Sequence, residues 1–189
     1  MLGLLPFAFL LTQALGFTAS GLGANPVESL LHQLGLWGLR FLLIGLAITP
    51  LRRFSGWHWL TRFRRMIGLF AFFYVVLHFL TYAILDQGLL IEAIIEDILK
   101  RPYITLGMLA LLMLIPLALT STRGMMRRLG KNWLRLHRLV YPVAILAVWH
   151  FYWQVKLDTL EAIVYVLILA FLLGVRVYFR VRSKGNIGR

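Results

Sequence analysis

The 189-residue chain contains no cysteine and only seven acidic residues, against twenty lysines and arginines. The absence of cysteine excludes disulfide bonds and thiolate ligands for a metal or a haem. No pair of carboxylates lies within an apolar stretch, so histidine is the obvious reactive group there. The chain also lacks a GxGxxG strand–helix unit, and we therefore expect no soluble flavin or nicotinamide domain.

Apolar residues dominate what is present: 60% of the chain is hydrophobic, 14% is aromatic, and the mean hydropathy is +0.81. Such a composition is typical of an integral membrane protein. Its apolar stretches show no strict period-two alternation, which favours helices over a transmembrane barrel. We predict an all-α bundle of six transmembrane helices forming one domain over residues 1–189. The six stretches are Met1–Leu22, Leu34–Leu51, Met66–Leu85, Tyr103–Thr122, Leu139–Val155 and Thr159–Phe179.

The first of these stretches could also be a cleaved signal peptide, which is likewise apolar and N-terminal. A signal peptide begins with a basic region, whereas Met1–Leu22 carries no charged residue. We therefore interpret it as a spanning helix.

Charge is distributed unevenly along the chain. Two connections and the C-terminal segment, on one side of the predicted bundle, hold sixteen basic residues, namely Arg52, Arg53, Arg62, Arg64, Arg65, Arg123, Arg127, Arg128, Lys131, Arg135, Arg138, Arg176, Arg180, Arg182, Lys184 and Arg189. All seven acidic residues lie in or beside the opposite connections: Glu28, Asp86, Glu92, Glu96, Asp97, Asp158 and Glu161. The positive-inside rule then places both termini in the cytoplasm. In a membrane protein the basic loops indicate topology and contact with anionic lipid rather than nucleic-acid binding, with docking of a partner as the alternative.

The longest outer connection, Asp86–Pro102, mixes acidic and apolar residues. This pattern predicts an amphipathic helix lying at the outer membrane surface.

Two histidines lie deep in predicted helices that start from the same basic side. His78 is 14 residues past Arg64, and His150 is 15 residues past Arg135. At 1.5 Å per residue, both lie roughly 21–22 Å from that side, at matching depth. An imidazole in hydrocarbon is costly without a partner, and two facing imidazoles at one level suit a b-type haem that carries electrons. We therefore predict His78 and His150 as axial ligands of haem iron, rather than as buried structural histidines.

A third histidine, His137, precedes His150 by 13 residues and lies about 20 Å nearer the basic side. This spacing suits a second haem below the first, but the positions that should supply its opposite ligand hold Arg64 and Arg65. In a straight helix His137 and His150 would also point about 140° apart, unless Pro142 redirects one of them. The sequence thus predicts one haem b or two. In the alternative, His137 is an interfacial histidine in a basic loop.

Two further histidines and one arginine complete the candidates. His58 stands between Trp57 and Trp59, where aromatic residues commonly anchor the membrane interface, and His32 falls in the first outer connection. We expect both to be structural or solvated. Arg40 lies inside the second helix near its outer end, where a haem propionate would neutralise it, or where it would snorkel to the interface.

Several strings of residues, in this order and spacing, resemble the haem-binding membrane subunits of bacterial protein-methionine-sulfoxide reductase systems, the MsrQ family. They are Gly23-Ala24-Asn25-Pro26-Val27-Glu28, Gly35-Leu36-Trp37, Thr49-Pro50-Leu51-Arg52-Arg53, Arg64-Arg65-Met66-Ile67-Gly68-Leu69, Lys100-Arg101-Pro102-Tyr103-Ile104-Thr105, Leu117-Ala118-Leu119-Thr120-Ser121, and Leu129-Gly130 through Trp133 to Leu136-His137-Arg138-Leu139-Val140-Tyr141. The resemblance covers nearly the whole chain. The wider group is the ferric-reductase and NADPH-oxidase transmembrane domain, with two histidines on each of two helices. Here Arg64 or Arg65 holds the place of one of those four.

The resemblance implies an electron conduit in the bacterial inner membrane. Electrons from the quinone pool or from a cytoplasmic flavin reductase would pass through haem b to a periplasmic molybdenum-containing subunit that reduces methionine sulfoxide in proteins. It also implies FMN as a cofactor, at a position that the sequence does not indicate. The sulfoxide chemistry itself would then belong to the partner.

Two other functions remain to be weighed. A proton-coupled transporter using intramembrane histidines is the alternative class, although such proteins usually add intramembrane carboxylates and broken helices. A self-contained ferric reductase would need a cytoplasmic nucleotide-binding domain, which 189 residues cannot hold after six spans.

Overall fold

The computed structural model describes residues 2–17, 21–155 and 159–185, and every regular element in those ranges is helical. The α-helices are α1 Leu5–Ala14, α2 Pro26–Ser55, α3 Arg64–Leu80, α4 Ile91–Lys100, α5 Pro102–Leu119, α6 Arg123–Leu129, α7 Lys131–Leu136, α8 Val140–Gln154 and α9 Thr159–Gly185. Short 3-10 turns occupy Leu2–Leu4, His58–Phe63 and His137–Leu139, and a π-helical turn at Thr81–Asp86 extends α3. The prediction of an all-α protein is confirmed.

Four helical segments are long and apolar enough to cross a membrane: Pro26–Ser55, His58–Asp86, Pro102–Leu119 and Thr159–Arg182. The other two predicted spans are shorter. Helix α8 has 15 residues, which corresponds to about 22 Å. The first apolar helix covers Leu2–Ala14 and ends before the predicted boundary at Leu22, with residues 18–20 outside the described ranges. Helix length therefore supports four of the six predicted spans.

Helix α2 is the central helix of the bundle, because half of its most apolar segment is buried, against 22% in each of the other three long helices. Its start is fixed by Pro26 at the first helical position and by Asn25, whose side-chain oxygen accepts from the Glu28 N–H at 3.4 Å. It ends at Gly56, whose φ of 71° suits the left-handed C-cap.

The main hydrophobic core lies between α2, α5, α8 and α9. Its buried residues include Leu39, Leu42, Leu43 and Leu46 of α2, Leu114 and Leu117 of α5, Val143, Ala144 and Val148 of α8, and Ala162, Leu169 and Leu172 of α9. Alanine and valine on α8 allow close helix approach within this core. The core therefore holds the later helices around α2.

The first helix, α1, packs against α2 and α3. The Tyr74 ring is fully buried there with Leu10 and Leu34. Its hydroxyl accepts from the Phe7 N–H at 3.0 Å and donates to the Gly3 carbonyl at 2.8 Å. The N-terminal segment is thus fastened to the bundle by apolar packing and by hydrogen bonds.

Helix α9 is held to the bundle by two arginine–tyrosine contacts. Near one end, Arg40 Nε donates to the Tyr165 hydroxyl at 2.8 Å, and near the other, Arg176 Nη1 donates to the Tyr141 hydroxyl at 2.9 Å. Arg176 Nη2 also donates to the Leu46 carbonyl of α2. That carbonyl would ordinarily accept from the N–H four residues on, but position 50 is Pro50, which has none. Arg176 therefore supplies the donor that the proline removes.

Replacing Arg176 by methionine is expected to lower the midpoint of thermal unfolding in detergent. The Leu46 carbonyl and the Tyr141 hydroxyl then lose their donor. Such a loss lowers the free energy of unfolding by roughly 1–3 kcal/mol. Pro50→Ala restores an N–H for the Leu46 carbonyl, so Arg176→Met should cost about 1 kcal/mol less in that background. The four proteins of this cycle can be compared by circular dichroism. An equal loss in both backgrounds would show that the Leu46 contact contributes nothing.

The connection between α3 and α5 contains the amphipathic helix predicted from sequence. Helix α4 exposes Ile91, Ile95 and Leu99 beside the acidic Glu92 and Glu96. An apolar stripe of this kind suits a helix lying in the membrane interface.

Candidate functional site

The structure brings His78 and His150 together. His78 lies in the last turn of α3 and His150 in the last turns of α8, and both side chains are partly buried. Their ring centroids are 6.2 Å apart and their planes are inclined by 79°. The matching depth predicted from residue counting therefore corresponds to a real pair.

Each ring is oriented by a backbone carbonyl of a neighbouring helix. His78 Nδ1 lies 2.9 Å from the Leu31 carbonyl of α2, and His150 Nδ1 lies 2.6 Å from the Tyr103 carbonyl of α5. A carbonyl can only accept, so Nδ1 carries the proton in both rings and the neutral imidazole keeps its lone pair on Nε2. This is the tautomer in which histidines bind metals, with the outer hydrogen bond fixing the ring.

A glycine makes room for each ring. A Cβ on Gly35 would lie 3.1 Å from His78 Nδ1, and a Cβ on Gly107 would lie 3.0 Å from His150 Nδ1. Each glycine follows its accepting carbonyl by four residues, so the carbonyl and the glycine lie one helical turn apart. The pair α2–α3 and the pair α5–α8 thus repeat one arrangement, in which the histidine lies 47 positions after the residue whose carbonyl it contacts.

The two imidazoles fit a haem better than a bare metal ion. A metal bonded at about 2.0 Å to two opposed imidazole nitrogens places the ring centroids roughly 6 Å apart, which agrees with the observed separation. Among the described residues, no group of three or more His, Cys, Asp or Glu side chains could hold a metal ion. A haem needs only two axial ligands from the protein, because its macrocycle supplies the rest.

The third predicted ligand, His137, lies at the other end of α8, in the 3-10 turn that precedes it. Its ring stacks on Trp133 at 3.9 Å, and its Nε2 lies 3.1 Å from the Thr120 hydroxyl. Partial burial lowers the pKa of His137, so the neutral ring dominates near pH 7. The Thr120 hydroxyl donates its only proton to the Pro116 carbonyl at 2.6 Å, and it therefore accepts from His137 Nε2–H.

The segment between His137 and His150 is not one straight helix. The 3-10 turn His137–Leu139 precedes α8, and Pro142 lies in the first turn of α8, where a proline is tolerated. The change in helix type, together with the proline, sets the relative direction of the two histidines. Residue counting on a straight helix could not give that direction.

Arg40 lies on α2, with its side chain 37% exposed. Besides Tyr165, it approaches Glu161 of α9, with 3.6 Å between Nη2 and Oε1, and its guanidinium lies 5.0 Å from the centre of the Trp37 ring. Sequence reasoning considered a haem propionate or the membrane interface for this residue and did not foresee Glu161.

The other two histidines are placed apart from one another. His32 lies within α2 rather than in the connection before it, and its ring is 5.8 Å from that of Phe151. His58 is exposed at the start of the 3-10 turn, and the rings of Trp57 and Trp59 stack at 6.1 Å beside it.

Asp97 on α4 is a residue that the sequence did not single out. It accepts hydrogen bonds from Tyr82 and Gln87, each at 3.2 Å, and pairs with Arg101 at 3.2 Å. Tyr82 belongs to the π-helical turn that follows His78, and Arg101 directly precedes α5, whose Tyr103 carbonyl holds His150. Asp97 thus links the chain segments beside both histidines.

One sequence signal could have revealed the residues that orient the two histidines. A glycine lies 43 positions before each of them, Gly35 before His78 and Gly107 before His150.

Comparison with known proteins relates the chain to a named group. Residues 34–148 match the family described as ferric reductase like transmembrane component. The chain is 53% identical to the protein-methionine-sulfoxide reductase haem-binding subunit MsrQ of Xanthomonas euvesicatoria pv. vesicatoria (strain 85-10), over 90% of this chain and 78% of that protein. A protein of the same name from Azospira oryzae (strain ATCC BAA-33 / DSM 13638 / PS) is also 53% identical, over 90% of this chain and 74% of its own length. No solved structure matches the chain.

Proposed function

Because the chain belongs to the MsrQ family of haem-binding subunits, a group of multi-pass membrane proteins with a ferric-reductase-like transmembrane domain, we propose that it binds a b-type haem between His78 and His150 and transfers electrons across the membrane. The observation that carries the proposal is the facing pair itself, with ring centroids 6.2 Å apart and both Nδ1 atoms engaged by carbonyls.

Bound between the two imidazoles, haem b supplies a one-electron redox centre. The residues of this chain hold it and set its surroundings. The Leu31 and Tyr103 carbonyls keep each Nε2 free to ligate, and they raise the basicity of the rings. Two protein ligands leave no open coordination position for a substrate, which suits electron transfer rather than catalysis at the haem.

The donor and the acceptor follow from the family. We propose that electrons come from the quinone pool or from a cytoplasmic flavin reductase and leave to a periplasmic molybdenum-containing subunit, where methionine sulfoxide in proteins is reduced. The names of the relatives, which describe a subunit of a protein-methionine-sulfoxide reductase, support this assignment. The position of the histidine pair also supports it, because both histidines lie near the acidic end of the bundle.

For the topology we propose six spans in the bacterial inner membrane with both termini in the cytoplasm, α8 and the N-terminal helix being the two short spans. The segregation of sixteen basic residues from all seven acidic residues supports it. A reporter fused after Arg189 is expected to be active only in its cytoplasmic form. Activity of a periplasmic reporter at that position would overturn the arrangement.

A second haem, with His137 as its ligand, stays a prediction. Ligation would require His137 to exchange its hydrogen bond with Thr120 for the iron. His137→Ala distinguishes the two roles: a haem-to-protein ratio lowered by about half indicates a ligand, because ligation is local to each iron. An unchanged ratio with a lower melting temperature indicates a hydrogen-bonding residue.

Arg40 as the partner of a haem propionate also stays a prediction. Its guanidinium would then contact the propionate as well as Tyr165 and Glu161.

FMN is the cofactor for which the described residues offer the least support. The family resemblance implies it, and we keep it as a proposal without assigned residues. Flavin released from the purified protein by heat, and measured by its fluorescence, tests it directly.

The spectrum of the purified protein tests the central proposal. We expect a Soret band that sharpens and shifts on reduction, with the features of a low-spin, six-coordinate haem. A colourless preparation from cells with sufficient haem would reject the proposal and favour the proton-coupled transporter.

A further inference from the structure

Three arginines converge at the basic end of the bundle, each from a different helix: Arg52 from the end of α2, Arg64 from the start of α3 and Arg176 from α9. We call them the inner arginine cluster. Arg64 is close enough to Arg52 and Arg176 for mutual electrostatic repulsion, and the Tyr141 hydroxyl lies beside them. Arg64 Nη2 donates to the Thr49 hydroxyl at 2.6 Å. The proposed electron transfer uses none of these side chains.

No carboxylate compensates this positive charge in the described part of the chain. The ion pairs found there involve Arg40, Lys100 and Arg101, all beside the acidic connections. Every acidic residue of the sequence also lies in or beside those connections. Like charges held together at the edge of hydrocarbon are unfavourable without a counter-ion. The described residues therefore provide no carboxylate that neutralises the charge of the cluster.

The cluster also has unused hydrogen-bond donors. Arg176 Nε is buried and has no partner, although the rest of its guanidinium contacts Tyr141 and Leu46. Arg64 is exposed, and in the described residues the structure shows no hydrogen bond of the Arg52 side chain. Several guanidinium groups with free N–H groups suit a phosphate, which accepts two parallel hydrogen bonds from one guanidinium.

The protein surface next to the cluster exposes large apolar side chains. Leu51 and Phe54 of α2 are 53% and 67% exposed, and Val177 and Tyr178 of α9 are 61% and 58% exposed. Such side chains would contact acyl chains in a membrane. A ligand that matches both the free guanidinium donors and the apolar surface contains a phosphate group and a hydrocarbon chain.

We propose that the inner arginine cluster is a binding site for the phosphate of an anionic phospholipid, which fastens the inner ends of α2, α3 and α9 to one another. Basic pockets between transmembrane helices commonly recognise anionic head groups in this way. The site is independent of the haem pair, since the cluster lies about 21 Å along α3 from His78.

The test compares retention of phosphatidylglycerol and of phosphatidylcholine with identical acyl chains, by native mass spectrometry of the detergent-purified full chain. The site variant is Arg52→Gln with Arg64→Gln, and the matched control is Arg127→Gln with Arg128→Gln, two exposed arginines of α6 with the same change in charge. We expect the preference for phosphatidylglycerol to fall roughly ten- to thirtyfold in the site variant. In the control it should change by less than about twofold. Melting temperature in phosphatidylcholine nanodiscs checks folding, and Arg52→Gln alone is used if the double variant fails to fold.

Three results would overturn the proposal. An equal loss in both double variants would show that only the overall charge matters. Displacement of phosphatidylglycerol by millimolar inorganic phosphate would identify a site for free phosphate rather than for lipid. A fall in haem content of the site variant, with phosphatidylglycerol preference unchanged, would assign the cluster to a haem carboxylate.

Discussion

Replacing His78 or His150 by alanine is expected to remove most of the bound haem and to abolish outward electron delivery. In the proposed site each side chain would supply one of the two protein ligands of the haem iron, and neither ring is hydrogen-bonded to another described histidine. Loss of supporting contacts around a metal ligand typically weakens binding about ten- to a hundredfold, so loss of the ligand itself should cost at least that. The measurement is the haem-to-protein ratio of the purified variants, together with the reduced-minus-oxidised spectrum.

The matched control is His58→Ala, because His58 is exposed in the 3-10 turn at the basic end of the bundle. It should keep the haem content and the spectrum of the unchanged protein. A normal low-spin spectrum in both His78→Ala and His150→Ala would reject the pair as the site.

Substitution of Gly35 or Gly107 by alanine should have the second-largest effect. The added methyl group would lie 3.1 Å from His78 Nδ1 or 3.0 Å from His150 Nδ1, which is too close for an ordinary contact. The ring must then shift by a few tenths of an ångström, which weakens the hydrogen bond to the Leu31 or Tyr103 carbonyl. Because that hydrogen bond fixes both the tautomer and the ring orientation, we expect haem affinity to fall about tenfold or more.

Two glycines elsewhere provide controls for this experiment. A Cβ on Gly68 in α3 or Gly174 in α9 would meet no atom within 4 Å. Alanine there should leave haem binding unchanged, and helix propensity favours it over glycine by up to about 1 kcal/mol. Haem titration of the apoprotein gives the affinities. If Gly35→Ala and Gly107→Ala bind haem as tightly as these controls, the close approach of helix backbone to histidine is not required.

The central helix shows how far local chemistry predicts the fold. Asn25, Pro26 and Gly56 mark the ends of α2 by capping rules that depend only on neighbouring residues. The predicted span Leu34–Leu51 followed hydrophobicity instead and was too short at both ends, since α2 covers Pro26–Ser55. Helix α4 follows from the alternation of acidic and apolar residues in one connection. The first helix illustrates the limit. Hydrophobicity extends from Met1 to Leu22, but the helix ends at Ala14. The sequence did not give this boundary, because an apolar composition does not itself specify where a helix stops.

For the candidate site, the sequence determined that His78 and His150 share one depth. Helical rise is constant, so counting from Arg64 and Arg135 was sufficient. The membrane class and the segregation of charge likewise follow from composition and from the order of residues alone.

Only the tertiary structure decided which groups touch. The Leu31 and Tyr103 carbonyls reach the two rings because α2 packs on α3 and α5 packs on α8. Arg176 of α9 likewise reaches the Leu46 carbonyl of α2, which has no helical N–H partner because position 50 is a proline. Helix periodicity is a local property of the chain. The rotation and the separation of neighbouring helices are instead set by packing of side chains that are distant in sequence, so these contacts could not be derived from residue spacing.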